Sequence, residues 1–195
     1  MIEVLLGDVA ENPWALAVLA GLVFVDGLVV IVPGEIAVTV LGSLAVSHGV
    51  PPLWGVVLVA GAAAFAADVA GYAIGRLLHP QRWRIAKRPR FQRAYGWARR
   101  RLRTHLAITL FTARFIPFAR VVVNLTAGAT RIRPSRYLPL AGGSALLWAG
   151  YQAFIGAAVA TIVPGGPLVG VLVAIAGALA IGWILDRILA RFGPR

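Results

Sequence analysis

Apolar residues run along this chain in five stretches, at about 13–48, 53–78, 105–130, 137–163 and 167–190, separated by short polar or basic segments. A helix that crosses the hydrocarbon core of a bilayer needs about 20 predominantly apolar residues. The stretches 53–78, 137–163 and 167–190 have that length without interruption and predict three simple spans. The string Pro164-Gly165-Gly166-Pro167 predicts a tight turn between the last two. The other two stretches are broken from within. Val32-Pro33-Gly34-Glu35 interrupts 13–48, and Arg114-Phe115-Ile116-Pro117-Phe118-Ala119-Arg120 interrupts 105–130. Proline removes a backbone donor and collides with the preceding turn, so each string predicts a helix break. Of the resulting halves, only 13–31 approaches the length of a crossing helix.

Composition supports a lipid-embedded reading. The chain has 195 residues, of which 59% are hydrophobic and 13% charged, with a mean hydropathy of +0.83. A soluble domain carries about 25% charged residues. The length suits one domain, taken here as 1–195. Cysteine is absent, which removes disulfides and thiolate metal sites from consideration. Met1 to Asn12 contain Glu3, Asp8 and Glu11 and no Lys or Arg, so a cleaved signal peptide with a basic leader is not expected.

The net charge of +12 is distributed in a way that favours membrane topology over nucleic-acid binding. Residues 1–75 hold no Lys or Arg, and all 19 basic residues lie from Arg76 onward. Eleven of them fall between Arg76 and Arg103; Arg131, Arg133 and Arg136 form a second group, and Arg187, Arg191 and Arg195 a third. Basic loops stay on the cytoplasmic side. With 76–103 and 131–136 both cytoplasmic, the segment 105–130 enters and leaves by the same face, as a re-entrant hairpin with its tip at Pro117. Tracing back through the span 53–78 places 48–52 outside, so 13–48 becomes a second hairpin entering from the opposite face near Pro33. The alternative is a full crossing by 13–31 with a cytoplasmic N-terminus. The predicted fold is therefore an all-α, inverted-repeat, transporter-like membrane protein with two opposing re-entrant hairpins, about three spans and a cytoplasmic C-terminus. In the basic segment 79–104, Trp83, Ile85, Phe91, Tyr95, Trp97 and Leu102 interleave with the charges. It reads as an interfacial helix-like segment, broken at Pro89, that contacts anionic lipid, or as a solvated basic loop.

Charge inside an apolar segment costs on the order of 3 kcal/mol per group on insertion scales and is normally paired or functional. Asp26, Glu35, Asp68, Arg114 and Arg120 are the candidates. Glu35 follows the Pro33-Gly34 break, where backbone groups are freed from helix bonding, and opposing tips would bring it towards Arg114 and Arg120. A pair of planar guanidinium forks suits capture of a phosphate. A Glu balanced between desolvation and a nearby Arg suits a proton carrier. The competing reading makes these groups internal salt bridges; Asp68 also sits at packing spacing with Gly71 and Gly75, and Asp26 would simply face water. Asn124 and Gly128, downstream of Arg120, are expected to support hairpin packing. His48, His79 and His105 lie at segment ends without metal-ligand spacing, and no nucleophile elbow, phosphate loop or dinucleotide fingerprint occurs, so an enzyme acting on lipid phosphate is the least favoured class. No cofactor is expected.

Taken together, Pro33-Gly34-Glu35, the run Gly61…Asp68…Gly71-Tyr72…Gly75-Arg76, and Arg114 to Arg120 followed by Ala127-Gly128 resemble the DedA family, whose members share the VTT domain. Tyr137 and Trp148…Gly150-Tyr151 are similar too, and the resemblance covers roughly 25–160. The family often has a further proline before Pro-Gly-Glu, where this chain has Ile31-Val32. The resemblance implies an inverted-repeat membrane fold and lipid translocation. Bacterial members include translocases that return undecaprenyl phosphate to the cytoplasmic leaflet, and eukaryotic relatives scramble phospholipids. It implies phosphate binding by Arg114 and Arg120, gating or proton coupling by Glu35 and Asp68, and supporting roles for Asp26, Asn124, Gly34, Pro33, Pro117 and Gly128. The expected activity is movement of a polyprenyl phosphate across a bacterial cytoplasmic membrane. The alternatives are broad phospholipid scrambling and proton-coupled small-ion transport. A homodimer is compatible with the sequence.

Overall fold

The structure, a computed structural model, describes residues 12, 14–29, 34–77, 89–116 and 118–162. Among them the only regular secondary structure is helical, in seven helices: α1 (Ala15–Val29), α2 (Gly34–Ser47), α3 (Leu53–Leu77), α4 (Pro89–Thr104), α5 (Leu106–Ala113), α6 (Ala119–Ala129) and α7 (Pro134–Ile162). Two of these, α3 and α7, are long and apolar enough to cross a membrane. At the helical rise they measure roughly 37 and 43 Å, against a hydrocarbon core of about 30 Å. The predicted third span, 167–190, and the turn Pro164–Pro167 lie outside the described residues, as do Pro33 and Pro117.

Four short helices follow from the two sequence breaks. Helices α1 and α2 flank the first, and α5 and α6 flank the second. At roughly 12 to 23 Å each, none of the four reaches across the hydrocarbon core alone. Between α5 and α6 the chain turns through Phe118, a non-glycine residue at φ +63°. That left-handed conformation is costly for a bulky side chain. The basic segment forms α4, which starts at Pro89, where a missing N–H costs a helix nothing. On α4, Leu102 is buried while Arg99, Arg100, Arg101 and Arg103 are exposed.

Packing is arranged as two apolar clusters strung along α3 and α7. One gathers Leu19, Val23, Val38, Val56, Ala60 and Trp148 from α1, α2, α3 and α7. The other gathers Tyr72, Leu102, Leu106, Ala127, Tyr137 and Ala141 from α3, α4, α5, α6 and α7. Asp68 lies on α3 between the portions that serve the two.

Glycine sets the closest helix approaches. On α6, a Cβ at Gly128 would run into the Tyr72 carbonyl of α3, and one at Gly75 of α3 would run into the Leu125 carbonyl of α6. On the other side, a Cβ at Gly156 of α7 would run into the Thr39 carbonyl of α2, and one at Gly42 would stand 2.6 Å from the Ala153 carbonyl. Both seams thus pair two antiparallel helices through the same spacing, a residue and a glycine three positions on, each glycine facing the other helix's residue. In lipid no hydrophobic force drives helices together, so backbone proximity at small residues supplies the association.

Candidate functional site

Both sequence breaks deliver charge to the interior. Arg114 follows the last residue of α5, Arg120 is the second residue of α6, Asp26 lies in the last turn of α1, and Asp68 is central in α3. All four are buried, at 5%, 9%, 8% and 2% exposure respectively. Such groups are tolerated in an apolar interior when paired and hydrogen-bonded. Arg114 donates from Nη2 to Asp68 Oδ2. Arg120 donates from Nη2 to Asp26 Oδ2 at 3.1 Å and to the Asp26 main-chain oxygen at 3.0 Å. Both ion pairs join the Arg114–Arg120 segment to the first half of the chain.

The rest of Asp68 is also occupied. Asn124 Nδ2 donates to Asp68 Oδ1 at 2.7 Å. The Tyr137 hydroxyl lies 2.9 Å from Asn124 Oδ1 and 3.1 Å from the Asp68 main-chain oxygen, its single proton serving one acceptor at a time. The Tyr137 ring stacks on Tyr72 with centroids 4.4 Å apart. Tyr72 in turn donates to the Ile132 carbonyl at 2.6 Å and accepts from Arg76 Nη1 at 2.9 Å. The Arg114 guanidinium carbon stands 5.8 Å from the Trp148 ring centroid, a cation–π approach. Arg114 Nη1 is buried and has no hydrogen-bond partner. A charged donor left so is costly unless another acceptor visits it.

Glu35 is placed differently from its expected position opposite both arginines. It opens α2 with its side chain exposed, and the arginines spend their hydrogen bonds on Asp68 and Asp26 instead. It remains within electrostatic reach of Arg120, which attracts it, and of Asp26, which repels it. Arg120 also reaches Asp68 and Arg114 electrostatically, so the two ion pairs form one charged site. Asp26, expected to face water, is buried instead because α3 and α6 cover the end of α1. Gly34 explains part of this: a Cβ there would come within 3.0 Å of Asp26 Cβ. The glycine of the Pro-Gly-Glu string leaves room for the Asp26–Arg120 pair. Gly71 does the same for Asn124, whose Cβ lies 3.3 Å from where its own would be.

Sequence reasoning alone did not find the roles of Tyr137, Tyr72 and Trp148 in this network. The available signal was chemical: a Tyr or Trp buried in an apolar run needs a partner for its polar edge.

A family model of the VTT domain matches residues 32–158, a stretch that contains Glu35, Asp68, Arg114 and Arg120. No curated protein and no solved structure matches the chain.

Proposed function

The chain belongs to the VTT-domain, or DedA, family of membrane transporters and flippases, and from that premise we propose that it translocates a polyprenyl phosphate, specifically undecaprenyl phosphate, across a bacterial cytoplasmic membrane with proton coupling. The observation that carries this reading is the buried Arg114, whose Nη1 has no acceptor, held close enough to Arg120 for the two charges to interact. Two guanidinium groups with a free donor between apolar helices suit a phosphate head group, which accepts several charge-assisted hydrogen bonds at once. Outward-facing Phe115, Ile116 and Phe118 at the same turn offer apolar surface to a prenyl tail.

Charge balance motivates the proton. Two arginines face three carboxylates, Asp26, Glu35 and Asp68, so the site has no positive charge to spare for an anion. A phosphate that takes Arg114 from Asp68, or Arg120 from Asp26, leaves a carboxylate unpaired in an apolar interior. That state is costly until a proton neutralises it. Glu35, exposed at the start of α2, is suited to exchange that proton with the outside of the site, and Asp68 to receive it. The order is phosphate in, ion pair open, carboxylate protonated; release of phosphate on the far side reverses each step.

In this reading, the α1–α2 and α5–α6 pairs are opposing re-entrant hairpins, and the two glycine seams relate inverted halves of the fold. The exposed arginines of α4 lie against anionic lipid on the cytoplasmic face. Purified protein in phosphatidylcholine vesicles tests the substrate. Labelled polyprenyl phosphate should cross faster than labelled phosphatidylcholine. Equal rates would replace the proposal with phospholipid scrambling, and release of free phosphate would replace it with an enzyme.

A further inference from the structure

The two glycine seams provide an internal comparison. Aligned by their shared contacts, Tyr72 and Gly75 of α3 correspond to Ala153 and Gly156 of α7, and Leu125 and Gly128 of α6 to Thr39 and Gly42 of α2. Asp68, four residues before Tyr72, then corresponds to Ala149. Asn124, one residue before Leu125, corresponds to Val38. Val38 and Ala149 are both fully buried and belong to the apolar cluster on their side. One seam therefore closes over a valine and an alanine at the positions where the other closes over a hydrogen-bonded Asn124–Asp68 pair. Close approach of these helices does not require the polar pair, and burying one where apolar side chains suffice is a cost the fold accepts for another reason.

We propose that Asn124 and Tyr137 are positioning residues for transport: together they fix the Asp68 carboxylate so that Oδ2 alone faces Arg114. The hydrogen-bond directions support this. A carboxylate only accepts, so the Asn124 amide must turn Nδ2 towards Asp68 Oδ1 and its carbonyl away. The carbonyl then meets the Tyr137 hydroxyl, whose O–H donates to it. With Oδ1 held by Asn124, Oδ2 is the oxygen left to bind Arg114 and to be released when the guanidinium changes partner. Tyr137's hydroxyl braces that amide from its carbonyl side, so without it the amide is held by Asp68 alone. Without Asn124 the carboxylate is free to rotate on Arg114 or to engage both guanidinium nitrogens, which would close the donor that Arg114 Nη1 leaves open.

This inference rests on the reading of Asp68 as part of the transport site, and its test separates the two. Asn124→Val copies the residue of the sister seam, and Tyr137→Phe keeps the ring that stacks on Tyr72. Each variant is compared with wild type for melting temperature in detergent, for crossing of labelled polyprenyl phosphate in phosphatidylcholine vesicles, and for the infrared carboxylate bands of Asp68, assigned by subtracting the spectrum of Asp68→Asn. Both variants should stay folded, with Asn124→Val melting somewhat below wild type because Asp68 Oδ1 loses its donor, and both should shift the Asp68 bands and slow transport by about tenfold or more, the scale set by losing one hydrogen bond to a charged group. Adding Tyr137→Phe to Asn124→Val should slow it no further. Wild-type rates in Asn124→Val, unchanged Asp68 bands in both variants, or collapse of Asn124→Val in detergent would each overturn the positioning role. If wild type itself moves no polyprenyl phosphate, the substrate reading fails, while the infrared comparison still decides whether Asn124 and Tyr137 orient Asp68.

Discussion

Arg114 reaches from the end of α5 to Asp68 in the middle of α3, and in this ion pair the two side chains are only 2% and 3% exposed. Removing one member of a buried pair strands the other charge, which costs about 3–5 kcal/mol, whereas removing both is far milder. Asp68→Ala should therefore lower the melting temperature of the detergent-solubilised protein sharply. Adding Arg114→Met to it should recover much of the loss while abolishing transport. A double variant less stable than Asp68→Ala alone would mean that the pair is not a coupled unit.

The Asp26–Arg120 pair is more open, with both side chains 11% exposed, and Arg120 keeps a bond to the Asp26 main-chain oxygen whatever residue stands there. Asp26→Asn should cost about 1–3 kcal/mol, less than Asp68→Ala, because Arg120 loses its charged partner but keeps an amide oxygen, the Asp26 main-chain oxygen and the attraction of Glu35. Asp26→Asn should slow transport, and Gly34→Ala should do the same, since the added methyl displaces Asp26. Chemical denaturation and vesicle transport of both variants check this. A Gly34→Ala protein with wild-type transport would contradict the packing argument.

Glycine substitutions should sort by seam. Gly128→Ala and Gly156→Ala each drive a Cβ into a backbone carbonyl of the facing helix, which overpacks the interface by about 1–3 kcal/mol or more. Gly143→Ala meets nothing within 4 Å and should be neutral or stabilising by up to about 1 kcal/mol through helix propensity. Thermal melting of the three variants gives the comparison directly, and equal losses in all three would remove the seams as the source of association.

Orientation in the membrane has its own test. Single cysteines at Tyr95→Cys, in the basic helix, and Gly165→Cys, in the Pro164-Gly165-Gly166-Pro167 string, should label from opposite faces with a membrane-impermeant thiol reagent. Labelling of both from one face would rule out the opposing-hairpin topology.

The helix breaks around Pro33 and Pro117 were readable in the sequence because proline acts through local backbone chemistry, and the short helices α1, α2, α5 and α6 follow them. The spans α3 and α7 were readable from length and hydropathy. That Arg114, Arg120 and Asp68 would be buried and paired, if internal, was readable from the cost of charge in apolar segments. Which acid meets which arginine was not. Arg114 and Asp68 are 46 residues apart, and Arg120 and Asp26 94 apart, so their pairing depends on how helices cross, and periodicity within one helix is silent on that. Glu35 was the natural partner from its break. Asp26 took that place because Gly34 lets α2 press on α1 at Asp26.

The most direct test of the account is transport of labelled polyprenyl phosphate in vesicles carrying wild type or Arg114→Gln/Arg120→Gln, with labelled phosphatidylcholine as the parallel substrate. Wild type should move the polyprenyl phosphate selectively, and the double variant, present in the vesicles at the same level, should not move it. Undiminished transport by the double variant, or equal movement of phosphatidylcholine by wild type, would contradict the account.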